Sequence, residues 1–187
     1  ASYLLGDTQR AQKLFALEEE GDIYSRISNP TNAVFERRLS ALEGGVGSVA
    51  TSSGMSALNL IVFTLMNSGD NLVTSSNIYG GTHTYFTHSM SKYGMEARFV
   101  EEDNPELFAE QIDEDTRFLH LETIGNPSLD VPDIKAIAEV AHEAHVPLVV
   151  DNTFATPYLC KPFDHGADIV WHSTTKWLNG GGTTIGG

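Results

Sequence analysis

An α/β domain on a largely parallel sheet is the fold class that the 187-residue sequence predicts. Two observations point to it. From residue 46 onward, short β-rich runs alternate with segments of helical period, and several of those runs end on polar groups. Length adds that one sizeable core can be buried.

Residues 1–45 stand apart as a helical segment with a loop. Two helical patterns, about 7–20 and about 32–43, flank the stretch GDIYSRISNPT, which has no core periodicity. Its Tyr24, Arg26 and Asn29-Pro30 either reach another surface or form an ordinary turn in which Asn29 or Thr31 caps the next helix. Gly44-Gly45 punctuates the end of that helix. Residues 46–187 then read as the α/β domain. Strands are expected at 47–51, 71–75, 97–100, 118–122, 147–151 and 168–172, with a seventh starting at Thr183. Helices are expected at about 55–66, 82–93, 105–112 and 134–145, the last with Ile134, Ile137, Ala138 and Ala141 on one face.

Eleven basic against twenty-five acidic residues leave a net charge of −14, which disfavours a nucleic-acid partner, since phosphate contacts need clustered Lys and Arg. Cys160 is the sole cysteine, so no intrachain disulfide can form, and the composition fits a reducing cytoplasm. No apolar stretch approaches the ~20 residues that cross a bilayer; the best, 58–66, is broken by Asn59 and Thr64, and no membrane association is expected. The sequence starts at Ala1 and stops at Gly186-Gly187 inside what reads as a structural element, so a truncated chain is expected.

In doubly wound sheets ligands bind outside the carboxyl ends of the strands, which makes the residues just past each strand informative. TSSGMSA places Ser52, Ser53 and Gly54 at a helix start, either a simple cap or an anion seat. NIYGGT offers Tyr79, a ring that packs in the core or lies flat on a planar ligand, followed by two glycines. LETIGNP supplies a carboxylate at Glu122 and an amide at Asn126 beside a Pro127 turn. Asp151 ends an almost wholly apolar run, as a cap or as the partner of a buried cation such as a protonated pyridine nitrogen. DIVWHS leads to Ser173, Thr174, Thr175 and Lys176, hydroxyls suited to phosphate and an amine that is either solvated or, if desolvated, a Schiff-base nucleophile. Three glycines follow it, allowing close approach or a sharp bend. Together these are the parts of a site for pyridoxal 5′-phosphate (PLP).

YSRISNPT, SSGMSA, YGGT, ETIGNP, DNTFATP and HSTTKW, in this order, resemble the trans-sulfuration, or Cys/Met metabolism, family of PLP enzymes over about residues 24–187. LETIGNP, DNTFATPYLCKP and HSTTKWLNG are most similar to O-acetylhomoserine sulfhydrylases. The resemblance implies the large domain of fold type I PLP-dependent transferases, with a mostly parallel seven-stranded sheet and helices on both faces. It implies that Lys176 holds the cofactor covalently and moves the substrate Cα proton, that Asp151 pairs with the ring nitrogen and that Tyr79 stacks on the ring and shares in proton transfer. Asn126 would bond the ring's 3′ oxygen; Ser53, Gly54, Met55, Ser173 and Thr175 would seat the phosphate. Tyr24 and Arg26 would touch the phosphate of a neighbouring subunit, which implies a homo-oligomer, usually a tetramer. The implied reaction is γ-replacement, O-acetylhomoserine and sulfide giving homocysteine and acetate.

Two departures stand out. The family commonly has Gly-His-Gly where this chain has Gly180, Gly181 and Gly182, and the family's C-terminal domain, with its arginine for the substrate carboxylate, is not in the sequence. A chain without that domain is expected to be inactive alone. Methionine γ-lyase, cystathionine γ-lyase and cystathionine γ-synthase share the cofactor pocket, although Gly81 stands where methionine γ-lyase typically has cysteine. From other classes, His142-Glu143-Ala144-His145 is one residue short of the HExxH metal motif. A nucleotide-binding module lacks both GxGxxG after the first strand and GxxxxGK[ST]; a non-catalytic fragment is the remaining rival.

Overall fold

The computed structural model describes residues 2–187, in two compact units, the first ending at Ala50 and the second running Thr51–Gly187. In the first unit, α1 (Thr8–Phe15) starts where the Asp7 carboxylate accepts the Arg10 N–H at 2.8 Å. The helix expected to reach residue 20 stops early. Leu17 takes a left-handed φ of 58°, and Arg10 Nε donates to Glu19 at 2.8 Å, folding the acidic stretch back toward the helix. Helix α2 (Pro30–Glu43) starts two residues before its expected position because Asn29 accepts the N–H groups of Thr31 and Asn32 and Pro30 fits the first turn. Gly44, with φ 84°, ends it.

No strand forms at 47–51. Glu36 of α2 claims that backbone: its carboxylate accepts the Ala50 N–H at 2.8 Å and its carbonyl accepts the Ser48 hydroxyl at 2.6 Å.

The second unit runs α3 (Gly54–Leu65), β1 (Asn71–Ser75), α4 (Gly80–Thr84), β2 (Glu96–Val100), α5 (Pro105–Gln111), β3 (Thr116–Glu122), α6 (Ile134–Glu143), β4 (Leu148–Asp151), α7 (Thr156–Leu159) and β5 (Ile169–Trp171). After α4 the coil continues as a π-helical turn, Tyr85–Ser89, and a 3-10 turn, Met90–Tyr93. All five strands pair in parallel, in the order β2-β1-β3-β4-β5. The expected seven strands are thus five among the described residues. The run from Thr183 fails as a strand because it is glycine-rich and leaves Ile185 exposed; it meets Thr51 only through the paired bonds between Thr51 and Gly187, at 2.8 and 3.1 Å.

Alternating side chains build a core on each face of the sheet. Val73, Leu119, Leu121, Leu148 and Val150 face Phe108 of α5 and Ile134, Ile137, Ala138 and Ala141 of α6. Leu72, Phe118, Val149 and Trp171 face Leu58 and Val62 of α3, with Phe86 and Met90. Burial of this size is the dominant stabilising term, at ~25 cal/mol per Å² of apolar surface. The order turns back between β1 and β3, since β2 lies outside β1 and the later strands on the other side. In such sheets the crevice beyond the strand ends at that reversal receives the ligand.

The helix does not continue through the 142–145 stretch. His142 Nε2 contacts Asp168 Oδ2 at 2.9 Å, while His145 lies beyond α6 with φ 59°, so the two histidines do not share a helix face. Among the described residues no helix is long and apolar enough to cross a membrane.

Candidate active site

A cavity of about 770 Å³ opens beyond the carboxyl ends of β1, β3, β4 and β5. It is lined by nine of the residues singled out in the sequence: Ser53, Gly54, Met55, Tyr79, Asn126, Asp151, Ser173, Thr175 and Lys176. Tyr24 and Arg26 belong to the first unit, where the Arg26 guanidinium lies 5.6 Å from the Tyr24 ring centroid.

One wall is the N-terminus of α3. Ser53 caps it, accepting the Ser56 N–H at 3.1 Å, and the helix points the positive end of its dipole at the cavity. Gly54 allows the segment after β5 to press against this turn: a Cβ at residue 54 would stand 2.6 Å from Ser173 Cβ and 2.7 Å from its Cα. The segment is anchored from the other side as well. Ser173 N donates to Thr153 Oγ1 at 2.7 Å, and Thr153 N donates to Asp151 Oδ1 at 2.9 Å, so β4, its following loop and the Ser173 turn form one hydrogen-bonded chain. Thr175 Oγ1 bonds Gly186 N at 3.1 Å and Gly186 O at 3.3 Å.

Lys176 follows in a turn, its N–H on Ser173 O at 3.1 Å. Its side chain lines the cavity and is exposed. Gly180 and Gly182 take left-handed φ of 68° and 62°, bending the chain back along the cavity; this is the sharp turn that the glycine run implied. Gly181 is different. A Cβ there meets nothing closer than 3.5 Å, so a side chain fits where the family commonly has histidine.

The inner wall carries two buried acids side by side. Glu122 and Asp151 are register partners at the ends of β3 and β4. Burial raises the Asp151 carboxyl above the usual range, opposed by its Thr153 hydrogen bonds and the charge of His172. Glu122 is raised further, first by burial and then by the Asp151 charge, with the Tyr79 N–H opposing. Burial and the neighbouring Asp151 charge thus favour the protonated form of Glu122. No Lys or Arg pairs with either among the described residues. Tyr79 N–H donates to Glu122 Oε1 at 2.6 Å, and its ring packs over Gly81, where a Cβ would collide with ring atom Cε1.

Trp171 closes the floor and donates from Nε1 to His120 Nε2 at 3.4 Å; His120 Nδ1 meets Thr74 Oγ1 at 3.0 Å. The Trp171 bond makes Nε2 the acceptor, so the proton sits on Nδ1. Ile124, Phe154, Trp177 and Ile185 add an apolar rim, with Phe154 and Trp177 edge to face at 6.0 Å. Of these lining residues Glu122 had a signal in the sequence, an acid ending an apolar strand as Asp151 does; Thr153, Phe154 and Trp177 had none.

The donor set fits PLP. A helix N-terminus and hydroxyls suit a phosphate, a planar ring and an amide suit the heterocycle, and a buried unpaired carboxylate suits a protonated ring nitrogen. Known proteins agree. The chain is 53% identical over its whole length to homocysteine synthase of Schizosaccharomyces pombe, spanning 44% of that protein, and 48% identical to O-acetyl-L-homoserine sulfhydrylase of Leptospira meyeri, spanning 42%. It spans less than half the length of these relatives. It superposes with a TM-score of 0.94, at 38% identity, on a protein described as an O-acetylhomoserine (thiol)-lyase of Campylobacter jejuni solved with a pyridoxyl-lysine-5′-monophosphate residue; the match covers 99% of this chain and 46% of that one. The fold is therefore that of a fold type I PLP enzyme. With the model for Cys/Met metabolism PLP-dependent enzymes matching residues 1–187, around a cavity that assembles the donors such a cofactor requires, the chain belongs to that family.

Proposed function

We propose that the whole protein catalyses a PLP-dependent γ-replacement in which O-acetylhomoserine and sulfide give homocysteine and acetate. The observation that carries this reading is the single cavity that gathers Lys176, Asp151, Tyr79, Asn126 and the Ser53–Ser173 phosphate wall, in a chain about half identical to homocysteine synthase.

When bound, PLP supplies an electron sink that makes the Cα–H and Cβ–H bonds of an amino-acid substrate acidic. Asp151, the charged member of the acid pair, holds the ring nitrogen's proton; its strand and its bond to Thr153 fix its aim. The α3 turn at Ser53, Gly54 and Met55, with the Ser173 hydroxyl, binds the phosphate. Thr175 joins them by exchanging its 3.3 Å bond to the Gly186 carbonyl. Asn126 bonds the 3′ oxygen and the Tyr79 ring stacks on the heterocycle.

Lys176 Nζ would be the covalent tether and, when free, the base that takes the Cα and Cβ protons as acetate leaves Cγ and returns protons to Cβ and Cα after sulfide has added to Cγ; the Tyr79 hydroxyl would assist. Ile124, Phe154, Trp177 and Ile185 would place an apolar rim beside the reacting carbons. Tyr24 and Arg26 complete the phosphate site of a neighbouring copy in a homotetramer; exposure of the Tyr24 ring supports this. A cytoplasmic location accords with Cys160 being the sole cysteine.

Full-length protein supplied with PLP, O-acetylhomoserine and sulfide is expected to form homocysteine and acetate in equal amounts, and Lys176→Ala to form none. Product from methionine or cystathionine, with none from O-acetylhomoserine, would assign one of the lyase or synthase activities instead.

A further inference from the structure

We propose that Glu122 is a positioning residue of this site: by accepting the Tyr79 amide N–H at 2.6 Å it fixes, from the end of β3, where the Tyr79 ring stands in the cavity. The inference rests on the cavity being the PLP site described above.

Three observations carry it. Tyr79 sits at the start of α4, a helix of five residues with no side-chain cap of its own, so the backbone at this corner is held from outside, by a residue 43 positions along the chain. The ring in turn follows that backbone. It lies over Gly81 so closely that a Cβ there would collide with it, and a small turn of the 79–81 backbone therefore moves the ring.

The third observation is the placement of a second acid against Asp151. A buried like-charged pair would be strongly unfavourable, and the arrangement is tolerated because burial and the Asp151 charge keep Glu122 protonated. In that state Glu122 offers its carbonyl oxygen as a neutral acceptor. It leaves Asp151 as the one negative charge facing the ring nitrogen, and glutamine is its closest mimic.

The test is PLP affinity of the full-length protein by equilibrium dialysis, with the visible circular dichroism of the bound cofactor, for the parent, E122Q, E122A, Y79A and E122A/Y79A. Glu122→Val, which suits a strand, replaces E122A should the alanine variant not fold. E122A is expected to weaken binding roughly tenfold and to change the dichroism, as a misaimed ring does. E122Q is expected to stay within about twofold of the parent, and E122A to add less than about twofold in the Y79A background, because both changes act through one ring.

Parent-like binding by E122A overturns the proposal. So does E122Q binding as weakly as E122A, which would put the role in the charge, or an E122A effect of equal size with and without Tyr79. A parent that binds no PLP removes the cofactor reading itself, which the other outcomes leave standing.

Discussion

Replacing Gly54 by alanine is expected to spoil the cavity wall where α3 meets Ser173 while leaving the fold nearly intact. The added Cβ would lie 2.6 Å from Ser173 Cβ, 2.7 Å from its Cα and 3.1 Å from its N. Carbon atoms rest at about 3.5–4.0 Å, so Ser173 has to withdraw by roughly 1 Å. A rotamer change cannot relieve a clash with main chain. Withdrawal also strains the bond from Ser173 N to Thr153 Oγ1 at 2.7 Å and, through Thr153, the seat of Asp151. Overpacking of this kind costs about 1–3 kcal/mol, and alanine's helix preference over glycine returns at most ~1 kcal/mol at this first helical position. The net expectation is about 0–3 kcal/mol of destabilisation, seen as a fall in Tm of up to roughly 10 °C. Misplacement by ~1 Å is enough to lose about a hundredfold in a positioned site, so the Kd for PLP is expected to rise roughly 10- to 100-fold. Equilibrium dialysis measures the affinity and thermal melting of the cofactor-free protein the stability. A G54A protein that binds PLP within about twofold of the parent would refute the argument that this helix-to-turn contact sets the wall.

Glycine 181 is expected to behave oppositely: with only ordinary van der Waals contacts, none closer than 3.5 Å, at its Cβ position, G181H should change stability by less than ~0.5 kcal/mol, and a large drop in Tm would show that the turn is tighter than it looks. His120→Ala removes a fully buried ring bonded to Thr74 and Trp171 and packed edge-on against Phe86; urea unfolding should show a loss of about 2–4 kcal/mol, and a loss under ~1 would contradict its structural role. Since the folded pKa values of Glu122 and Asp151 are raised, their contribution to stability is complete below the usual carboxylate range and is lost as pH rises through the folded values. Asp70, held down by the Asn67 N–H and Arg117, contributes in the opposite sense, above the usual range and not below it. Cofactor-free parent should accordingly lose Tm more steeply than E122Q between about pH 5 and about pH 9, and parallel profiles would refute the paired-acid account.

The sheet and its helices were legible because their signals are local. Apolar runs bounded by turn residues located β1 to β5 within two residues, and the 3.6 period located α6 through Ile134, Ile137, Ala138 and Ala141. Errors came where a distant group decides the local structure. The run at 47–51 has strand composition, yet Glu36 takes its Ser48 hydroxyl and Ala50 N–H, a choice that no window around 47–51 contains. The end of α1 was misplaced for the same reason, Arg10 turning back to Glu19.

The site shows a related asymmetry. That Asp151 and Lys176 would line the cavity could be read from their place after a strand, because the strand-end rule needs only the order of elements. Residues that act by aiming others could not. Thr153 matters through its bonds to Ser173 N and from Thr153 N to Asp151, and Gly54 through a clearance to Ser173 almost 120 positions away, relations that exist only once the strands are adjacent. Glu122 lies between the two cases. Its position at the end of an apolar run marked it, but an acid there reads as one more charge for the cofactor until β3 is seen beside β4. Once that register sets it against Asp151, burial and the neighbouring charge favour its neutral form, which is left with the hydrogen bond to Tyr79 as its work.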